Sequence, residues 1–536
     1  MPRSDATIEP SWRAAVSSRR RAWASLVLLG ASLVSACSPQ HRRTPDDTIV
    51  VLIETAVRAA DPRYTLNNFD TKLSRLIAPG LTTVDTPTSE PRLMLAAAIE
   101  RRDDLTWDVV LRDDVRFSDG TPVTAADVEF SYQSMLKEDS DSVYHKTYLE
   151  RYRRVEAIDP RRARFHLQRP LATFLSDLDH GILSATAAGP DGRFGGRPPV
   201  GAGAYRLVEL TETHALLAAN PYHHLGPPAL PKVEIRFVRD PGARILMLVG
   251  GSADLVQNGI RLDLIDDVVT RPRVEVDSAP SQILSYLMLN NEDKILSRKE
   301  VRQAIALAID RPGLIRAKFS GRAVLATGLI PPGAPFYEGE VTRWTHDPER
   351  ARRLLDEAGF PDPDGPGPAP RFSLTYKTSA DAFRVSVARV IASELAAIGI
   401  AVEVRSFEFA TFFSDIKKGQ FQLASMQTAE IGNPDYYFTY FHSSRIPTKK
   451  DPDGNNRWRY RNPRVDELCQ AGRDELDPVR RHELYSEVQR IIAQEVPIIP
   501  LWHEDVVVLR NTQVHGFQIT PNARFGGLVH VTKTRD

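Results

Sequence analysis

The feature that most limits the fold is an alternation of short apolar strands with amphipathic helices. Thr48–Ile53 is a β-branched run of the kind buried inside a sheet, and residues 233–238 alternate apolar and polar side chains as a half-buried strand does. Thr124 and Asp127 have the spacing of a capping box and predict a helix. Past the N-terminal region, no run is apolar over the roughly 20 residues that a membrane-spanning helix needs. These patterns predict a mixed α/β protein.

Local signals predict further elements. Residues 107–111 and 163–167 are strand candidates, and the apolar spacing over 299–311 predicts a helix. Three more helices are predicted where an N-cap residue precedes a proline, because proline suits the first helical position. The three pairs are Asp347-Pro348, Asn462-Pro463 and Asp477-Pro478.

Length and charge limit the organisation of the chain. At about 150 residues per domain, 536 residues suggest about three domains or two large lobes. The 69 basic and 69 acidic side chains balance, so the overall charge gives no indication of a nucleic-acid partner, and we expect none.

The N-terminus has the pattern of an export signal. Arginines 19–21 precede an apolar run over 22–34, and small residues lead to Cys37. The string Val-Ser-Ala-Cys at 34–37 resembles the bacterial lipobox, in which the cysteine is acylated and becomes the new N-terminus. We therefore expect residues 1–36 to be a signal peptide, Cys37 the lipidation site and 37–47 a tether. A non-lipidated signal peptide is the alternative, and the general export route is favoured over the twin-arginine route.

Chemistry-bearing motifs are missing from the sequence. It contains no phosphate loop, no His-Glu-x-x-His, no Gly-x-Ser-x-Gly and no Cys-x-x-Cys. The adjacent His223 and His224 on an extended segment point to opposite faces and cannot both reach one metal ion. Cys469 is the other cysteine of the chain and is predicted to pack as an inert thiol. We therefore expect no enzyme, no metal site and no cofactor.

Several strings resemble one family over nearly the whole chain beyond the export signal. The most specific is the block 111–131, an arginine-bearing strand followed by the turn Asp119-Gly120-Thr121-Pro122 and the capped helix. Further matches lie, in the same order as in the family, at 199–205, 220–222, 251–254, 301–310, 351–359 and 496–502. These segments resemble the peptide-type solute-binding proteins of ABC importers, which are extracellular solute-binding protein family 5.

The resemblance implies an α/β fold of the two-lobed periplasmic-binding-protein type (class II, cluster C), with an extra inserted domain and a ligand cleft between the lobes. It places lobe I at 48–84, 197–283 and 500–536, the inserted domain at 85–196 and lobe II at 284–499. Ligand contacts from both lobes would stabilise the closed state, so no bond need be made or broken.

The resemblance also suggests which residues contact the ligand. In the family, contacts come from the loop after the first strand and from a second-lobe segment that usually carries Trp and two Asp residues. Tyr286 and Trp502 lie near the expected lobe crossings, with hinge packing as their alternative role. Glu430 could pair with a ligand ammonium, or it is a solvated loop carboxylate. The candidate residues are Glu54, Thr55, Tyr286, Gln427, Glu430, Asn433 and Trp502.

The implied function is the capture of peptides or a peptide-sized solute and their delivery to a membrane permease powered by a separate ATPase. Such a protein would be a monomer at the outer face of a membrane, held there by its lipid, with the periplasm as its compartment in a two-membrane host. An anchored receptor or scaffold and, less favoured, an exported hydrolase are the alternatives. Nickel, haem, glutathione and sugar binders also occur in the family, so the fold does not fix the ligand.

Overall fold

The structure is a computed structural model that describes residues 44–260, 264–365, 367–428 and 431–534. Its strands are β1 Thr48–Ile53, β2 Thr82–Thr83, β3 Arg92–Leu93, β4 Ala96–Asp103, β5 Thr106–Leu111, β6 Tyr152–Asp159, β7 Arg162–Leu167, β8 Tyr205–Leu210, β9 His214–Ala219, β10 Lys232–Phe237, β11 Leu255–Gln257, β12 Val274–Leu289, β13 Ala323–Leu325, β14 Phe372–Ser379, β15 Ile400–Phe407, β16 Leu423–Thr428, β17 Ile498–Asn511, β18 Val514–His515 and β19 Thr532–Lys533.

The α-helices are α1 Asn68–Ile77, α2 Ala125–Leu136, α3 His145–Arg151, α4 Phe174–Asp177, α5 Pro241–Val249, α6 Ile265–Val268, α7 Lys299–Ala308, α8 Arg311–Phe319, α9 Pro348–Glu357, α10 Ala382–Ala396, α11 Phe409–Lys418, α12 Tyr436–Phe441, α13 Pro463–Asp474 and α14 Pro478–Glu495. Within the described part of the chain, no helix is both long and apolar enough to cross a membrane.

One sheet of 11 strands runs through the molecule in the order β15-β14-β16-β12-β17-β11-β1-β10-β9-β8, with β13 paired to β17. At one end β1 lies parallel to both β10 and β11, and at the other β14 lies parallel to β15 and β16. The long antiparallel pair β12 and β17 joins these two parallel groups. A separate sheet of four strands, β4-β5-β7-β6, lies within the segment 85–196.

Helices cover both faces of the large sheet. At the β14 end, α7 to α10 pack on one face and α11 to α14 on the other. Cys469 is fully buried in the second of these clusters, which confirms its packing role. At the β1 end, α1 and the C-terminal segment cover one face, and α5 covers the other. All six residues of β1 are buried, as its β-branched pattern predicts for a strand covered on both sides.

The predicted strands and helix starts are confirmed. Strands at 107–111 and 163–167 are β5 and β7, and residues 233–238 correspond to β10. The N-cap carboxylates of Asp347 and Asp477 accept hydrogen bonds from the backbone N–H three residues on, at 2.9 and 2.8 Å. Asn462 caps α13 through its Oδ1, which accepts from the N–H of Arg464 at 2.9 Å and from that of Val465 at 3.2 Å. These signals are local, which is why the sequence displays them.

The single helix predicted over 299–311 is wrong. The structure ends α7 at Ala308, Ile309 is extended, and α8 begins at Arg311. The Asp310 carboxylate caps the new helix by accepting from Gly313 N at 2.9 Å. Pro312 also lacks the N–H that a continuous helix would need there, so the chain breaks and restarts.

The folded body begins before the predicted boundary at residue 48. Thr44 Oγ1 donates to Asp254 Oδ1 at 2.6 Å, and Lys232 Nζ donates to Asp47 Oδ2 at 2.9 Å. Lys533 of β19 donates to the Pro45 carbonyl at 3.0 Å. Residues 44–47, expected to be the end of a tether, are thus attached to the main sheet and to the C-terminal segment. The division into lobes and an inserted domain stays a prediction.

Candidate ligand-binding site

The carboxyl ends of two parallel strands form one polar edge of the large sheet. β1 and β11 pair through Leu52 and Val256, so the residues after them emerge on the same side. In open α/β sheets, ligands bind in the crevice beyond these strand ends. We call this edge, made of Glu54, Thr55 and residues 257–260, the first wall. Of the two predicted site residues on it, Thr55 is exposed and Glu54 is half-buried.

Glu54 lies beside a buried arginine. The backbone of Gly259 has a φ of +57°, and a Cβ there would lie 2.5 Å from Glu54 Oε2 and 3.2 Å from Arg244 Nη2. Arg244 donates to the backbone carbonyls of Arg239, at 3.0 Å, and of Gly259. Burial lowers the pKa of Arg244, while Glu54 opposes that shift. A carboxylate and a guanidinium therefore meet around a glycine whose missing side chain leaves them room.

Gln257 is a first-wall residue that the sequence analysis missed. It is 2% exposed, yet among the described residues neither its Oε1 nor its Nε2 has a hydrogen-bond partner. A buried polar group without a partner costs about 1–3 kcal/mol, so a ligand that bonds this amide would be favoured. Only the pairing of β11 with β1 brings Gln257 to the same edge as Glu54, and no local sequence signal marks that pairing.

The second polar edge lies where β16 meets the crossing strands. Gln427 of β16 stands opposite Ser285 of β12, and Ser285 stands opposite Trp502 of β17. Directly opposite residues share a face, so these side chains form a row across three strands. Arg384, in the first turn of α10, donates from Nη2 to Gln427 Oε1 at 3.3 Å. We call this row, together with Arg384 and Glu504, the second wall.

Glu504 is the acceptor at the centre of the second wall. Ser285 Oγ donates to its Oε1 at 2.8 Å, and Trp502 Nε1 donates to the same oxygen at 3.2 Å. Trp502 is 2% exposed, and its ring centroid lies 5.0 Å from that of Phe319. The indole therefore orients Glu504 from within the core. Period-two alternation from Trp502 would have identified Glu504 as its neighbour on the same face.

Tyr286 points away from this row. It is 1% exposed, and its ring makes a T-shaped contact with Trp458 at 5.9 Å on the opposite face of the sheet. Burial raises the pKa of the Tyr286 phenol far above its ordinary value. Its position matches the alternative role, packing between the crossing strands.

The loop after β16 lies next to the crossing strands. A Cβ on Gly432 would lie 3.3 Å from Oε1 of Gln282, which stands at the irregularity of β12. Asn433 is half-buried, and its Oδ1 accepts from Asp435 N at 3.0 Å in a turn that precedes α12. The predicted lipidation residue Cys37 and the predicted ammonium partner Glu430 both lie outside the described residues.

The two walls lie along one strand, β17. Asn258 N donates to Val507 O at 2.8 Å, and Val507 N donates to Asn258 Oδ1 at 3.0 Å, which fixes the first wall to β17. Trp502 lies five residues earlier on that strand. At about 3.3 Å per residue, the two walls are separated by roughly 17 Å, the length of about five extended residues. Within the described ranges, no group of three or more His, Cys, Asp or Glu side chains is placed to hold a metal ion.

Two groups of parallel strands, joined by a crossing pair and each ending in a polar edge, define a two-lobed binding protein. Residues 90–448 match the model of the bacterial extracellular solute-binding proteins, family 5 middle. The chain belongs to this family, and the fold and family expected from the sequence are confirmed.

Relatives and solved structures cover nearly the whole chain. The glutathione-binding protein GsiB of Escherichia coli O1:K1 is 28% identical over 518 residues, which are 93% of this chain and 97% of that protein. NikZ from Campylobacter jejuni, solved in complex with Ni(L-His), is 22% identical with a TM-score of 0.79, over 91% of this chain and 100% of the other. AppA from Bacillus subtilis, solved with a nonapeptide, is 22% identical with a TM-score of 0.75, over 91% and 99%.

Proposed function

We propose that this protein captures a peptide or peptide-sized solute between the first and second walls and delivers it to an ABC permease powered by a separate ATPase. The observation that carries the proposal is the placement of charged groups of both signs at each wall. Glu54 of the first wall lies next to Arg244, which is 3% exposed, and Glu504 and Arg384 belong to the second wall. A ligand with an ammonium and a carboxylate finds an opposite charge at either end.

Amide groups supply the rest of the recognition. Gln257 and Gln427 can each donate and accept, as a peptide backbone requires. Gln427 stands where relatives of this family usually have Trp, so this position offers no aromatic ring for stacking and suits a polar or short ligand. The similar proteins described above bind glutathione, a nonapeptide and a nickel–histidine complex, and the first two of these ligands have both charges on one molecule.

The lobe division belongs to the same proposal. Lobe I (48–84, 197–283 and 500–536) would carry the first wall and lobe II (284–499) most of the second, with 85–196 as an inserted domain. Trp502 and Glu504 fall in the last lobe I segment although they face lobe II side chains, because β17 crosses between the two. Ligand contacts from both sides would stabilise closure about β12 and β17.

Anchoring at Cys37 is the proposal for localisation. Export followed by acylation would hold the protein at the outer face of a membrane, next to a permease. Replacing Cys37 by Ser should abolish incorporation of labelled palmitate and release the protein into the soluble envelope fraction. Labelling that persists in C37S would remove Cys37 as the lipid site.

The test of the binding proposal is calorimetric titration of the purified protein with short peptides, glutathione and Ni(II)–L-histidine. We expect a saturable signal with peptides of about five residues, because an extended chain of that length spans the walls. Glu504→Gln and Arg384→Gln should each weaken binding at least tenfold, since each leaves a ligand charge without its partner. Glu430→Gln should weaken an amine-bearing ligand without changing the stability of the empty protein.

Arg389→Gln is the matched control for Arg384→Gln, because Arg389 is an exposed arginine on the same helix, α10. Its affinity should equal that of the unchanged protein. Equal affinities for E504Q, R384Q and the unchanged protein would contradict the site. Absence of binding to peptides, glutathione, sugars and metals would favour the hypothesis of an anchored receptor. Hydrolysis of peptides or esters would favour the hypothesis of a hydrolase.

A further inference from the structure

A cavity separate from the two walls lies where the segment 85–196 meets helices α12 and α13. It has a volume of about 330 Å³ and carries Arg169 on one side and Arg445 and Arg473 on the other. Ser444 and Gln470 add polar groups, and the exposed Glu150 is the carboxylate on its lining. We call this the seam cavity. Its three guanidinium groups come from parts of the chain that are far apart in sequence.

Arg473 is held in place but incompletely paired. Its guanidinium carbon lies 3.8 Å from the centroid of the Phe438 ring. Its buried Nε has no hydrogen-bond partner in the described chain, although it forms an ion pair with Asp435 Oδ2 at 3.5 Å. Asp435 Oδ1 already accepts from Tyr485 at 2.8 Å and lies 3.6 Å from Arg481. One carboxylate thus serves two arginines and a tyrosine.

The other two arginines also have unused donors. Arg169 Nη1 donates to Asp474 Oδ1 at 2.9 Å, but its buried Nη2 has no hydrogen-bond partner within the described ranges. Arg445 forms no ion pair with any described residue. Both oxygens of the Asp474 carboxylate accept hydrogen bonds, because Gln470 Nε2 donates to its Oδ2 at 2.7 Å.

The cavity therefore has more cationic donors than carboxylate acceptors. Burial lowers the pKa of Arg473, and the neighbouring Arg169 and Arg151 lower it further, while Asp435 opposes that shift. Asp177 forms an ion pair with Arg151 at 2.9 Å, so the charge of Asp177 is balanced by Arg151. An anion in the cavity would relieve the repulsion and bond the unused N–H groups.

We propose that the seam cavity binds a small tetrahedral oxyanion of the phosphate or sulfate type, held by Arg169 on one side and by Arg445 and Arg473 on the other. A tetrahedral oxyanion has enough acceptor oxygens for three guanidinium groups that approach from different sides, whereas the oxygens of a carboxylate are fewer and lie in one plane. Because Arg169 lies in the segment 85–196 and the other two lie beyond residue 284, the anion would tie together two parts of the molecule. The residues of this site are all different from those of the two walls.

The test is calorimetric titration of the purified full-length protein with sodium phosphate, and separately with sulfate and with acetate, in a chloride buffer of constant ionic strength. We expect saturable binding of phosphate and sulfate, a higher thermal midpoint in their presence, and no saturable signal with acetate. Arg445→Gln and Arg473→Gln should each reduce phosphate affinity at least tenfold. Arg464→Gln, a change of an exposed arginine on α13, should have no effect.

Arg445→Gln decides the outcome even where Arg473→Gln fails to fold, because Arg445 is only half-buried and forms no ion pair with a described residue. Phosphate that binds the unchanged protein and R445Q equally would overturn the proposal. So would the absence of a phosphate signal from a folded protein, or acetate that binds as tightly as phosphate. Peptide titration of the same samples reports on the walls separately, so failure of one site leaves the other testable.

Discussion

Glu394 on α10 is a carboxyl group whose environment favours its protonated form. Burial raises its pKa to about 7, although a hydrogen bond from the backbone of Asp310 opposes that shift. Its Oε2 is buried without a hydrogen-bond partner in the described part of the chain. The charged form, which dominates in the unfolded chain above about pH 4.5, is therefore disfavoured in the folded protein.

Stability should consequently depend on pH through Glu394. When the pKa of a carboxyl is higher in the folded protein than in the unfolded chain, the group stabilises the folded protein fully at pH values below its unfolded-state pKa. That stabilisation is lost as the pH rises through its folded-state pKa. We expect the free energy of unfolding to fall by about 1–2 kcal/mol between pH 4.5 and 7.5, a figure reduced for partial exposure to solvent. Glu394→Gln should flatten this dependence in urea denaturation. The same slope in both proteins would contradict the assignment.

Gly259 allows a second residue-scale prediction. Gly259→Ala places a Cβ at a positive φ and against Glu54, so the unfolding free energy should fall by about 1–3 kcal/mol and ligand affinity should drop. Gly195 is the matched control, because its φ is +56° and a Cβ there would meet nothing within 4 Å. Gly195→Ala should lower the free energy of unfolding only through the positive φ, because the added Cβ contacts no other atom. Equal losses for the two variants, measured by urea denaturation, would show that the contact with Glu54 does not matter.

At the scale of elements, Asp127 connects a helix to a distant loop. Its Oδ2 accepts from Thr124 N at 2.8 Å and from Thr124 Oγ1 at 2.7 Å, and its Oδ1 accepts from Ala185 N at 2.8 Å. The sequence indicated the cap but not the bond to residue 185. Asp127 is 5% exposed, so water could not easily accept these hydrogen bonds in place of its carboxylate.

Asp127→Ala should therefore lower the free energy of unfolding by more than the loss of a helix cap alone. We expect the unfolding free energy to fall by about 2–3 kcal/mol, because the variant removes a cap and leaves a buried N–H without its acceptor. Asp139→Ala, at an exposed carboxylate just beyond α2, should change stability by less than about 0.5 kcal/mol. A loss below about 1 kcal/mol for D127A, measured in the same urea series, would contradict a role beyond capping.

Elements with local signals were predictable, and their mutual register was not. Asp347, Asn462 and Asp477 mark helix starts within a few residues of sequence. By contrast, whether Ser285 or Tyr286 faces the second wall depends on how β12 pairs with β16 and β17, and a shift of one residue reverses every face. The irregularities of β12 between Ala279 and Ile283 and at Ser285 make that register a tertiary property.

At the scale of the whole molecule, polar contacts connect the segment 85–196 to the helices beyond residue 284. Arg169 pairs with Asp474 at 2.9 Å, and Lys146 pairs with Asp451 at 3.0 Å. Arg481 Nη1 also donates to Ala172 O at 3.2 Å. In the proposed lobe division, these contacts exist only when the two sides are close together.

Weakening this seam should favour the open arrangement. Asp474→Asn removes the charge that pairs with Arg169, so we expect a larger radius of gyration in small-angle scattering and a ligand affinity lower by up to about fivefold, the range of an exposed ion pair. Glu467→Gln, at an exposed position on the same helix, is the control. An unchanged radius and affinity in D474N would show that the seam does not contribute to closure.

If Cys37 carries the proposed lipid, the attachment of residues 44–47 to the sheet would limit the distance between the protein and its membrane. A lipid on Cys37 would leave only six residues before Thr44, and a fully extended chain from Cys37 to Thr44 spans at most about 25 Å. The body would therefore be confined to the surface of its own bilayer, with the β1 end of the sheet nearest the lipid. Its search for a permease would be two-dimensional, and its local concentration there would be set by membrane area instead of compartment volume.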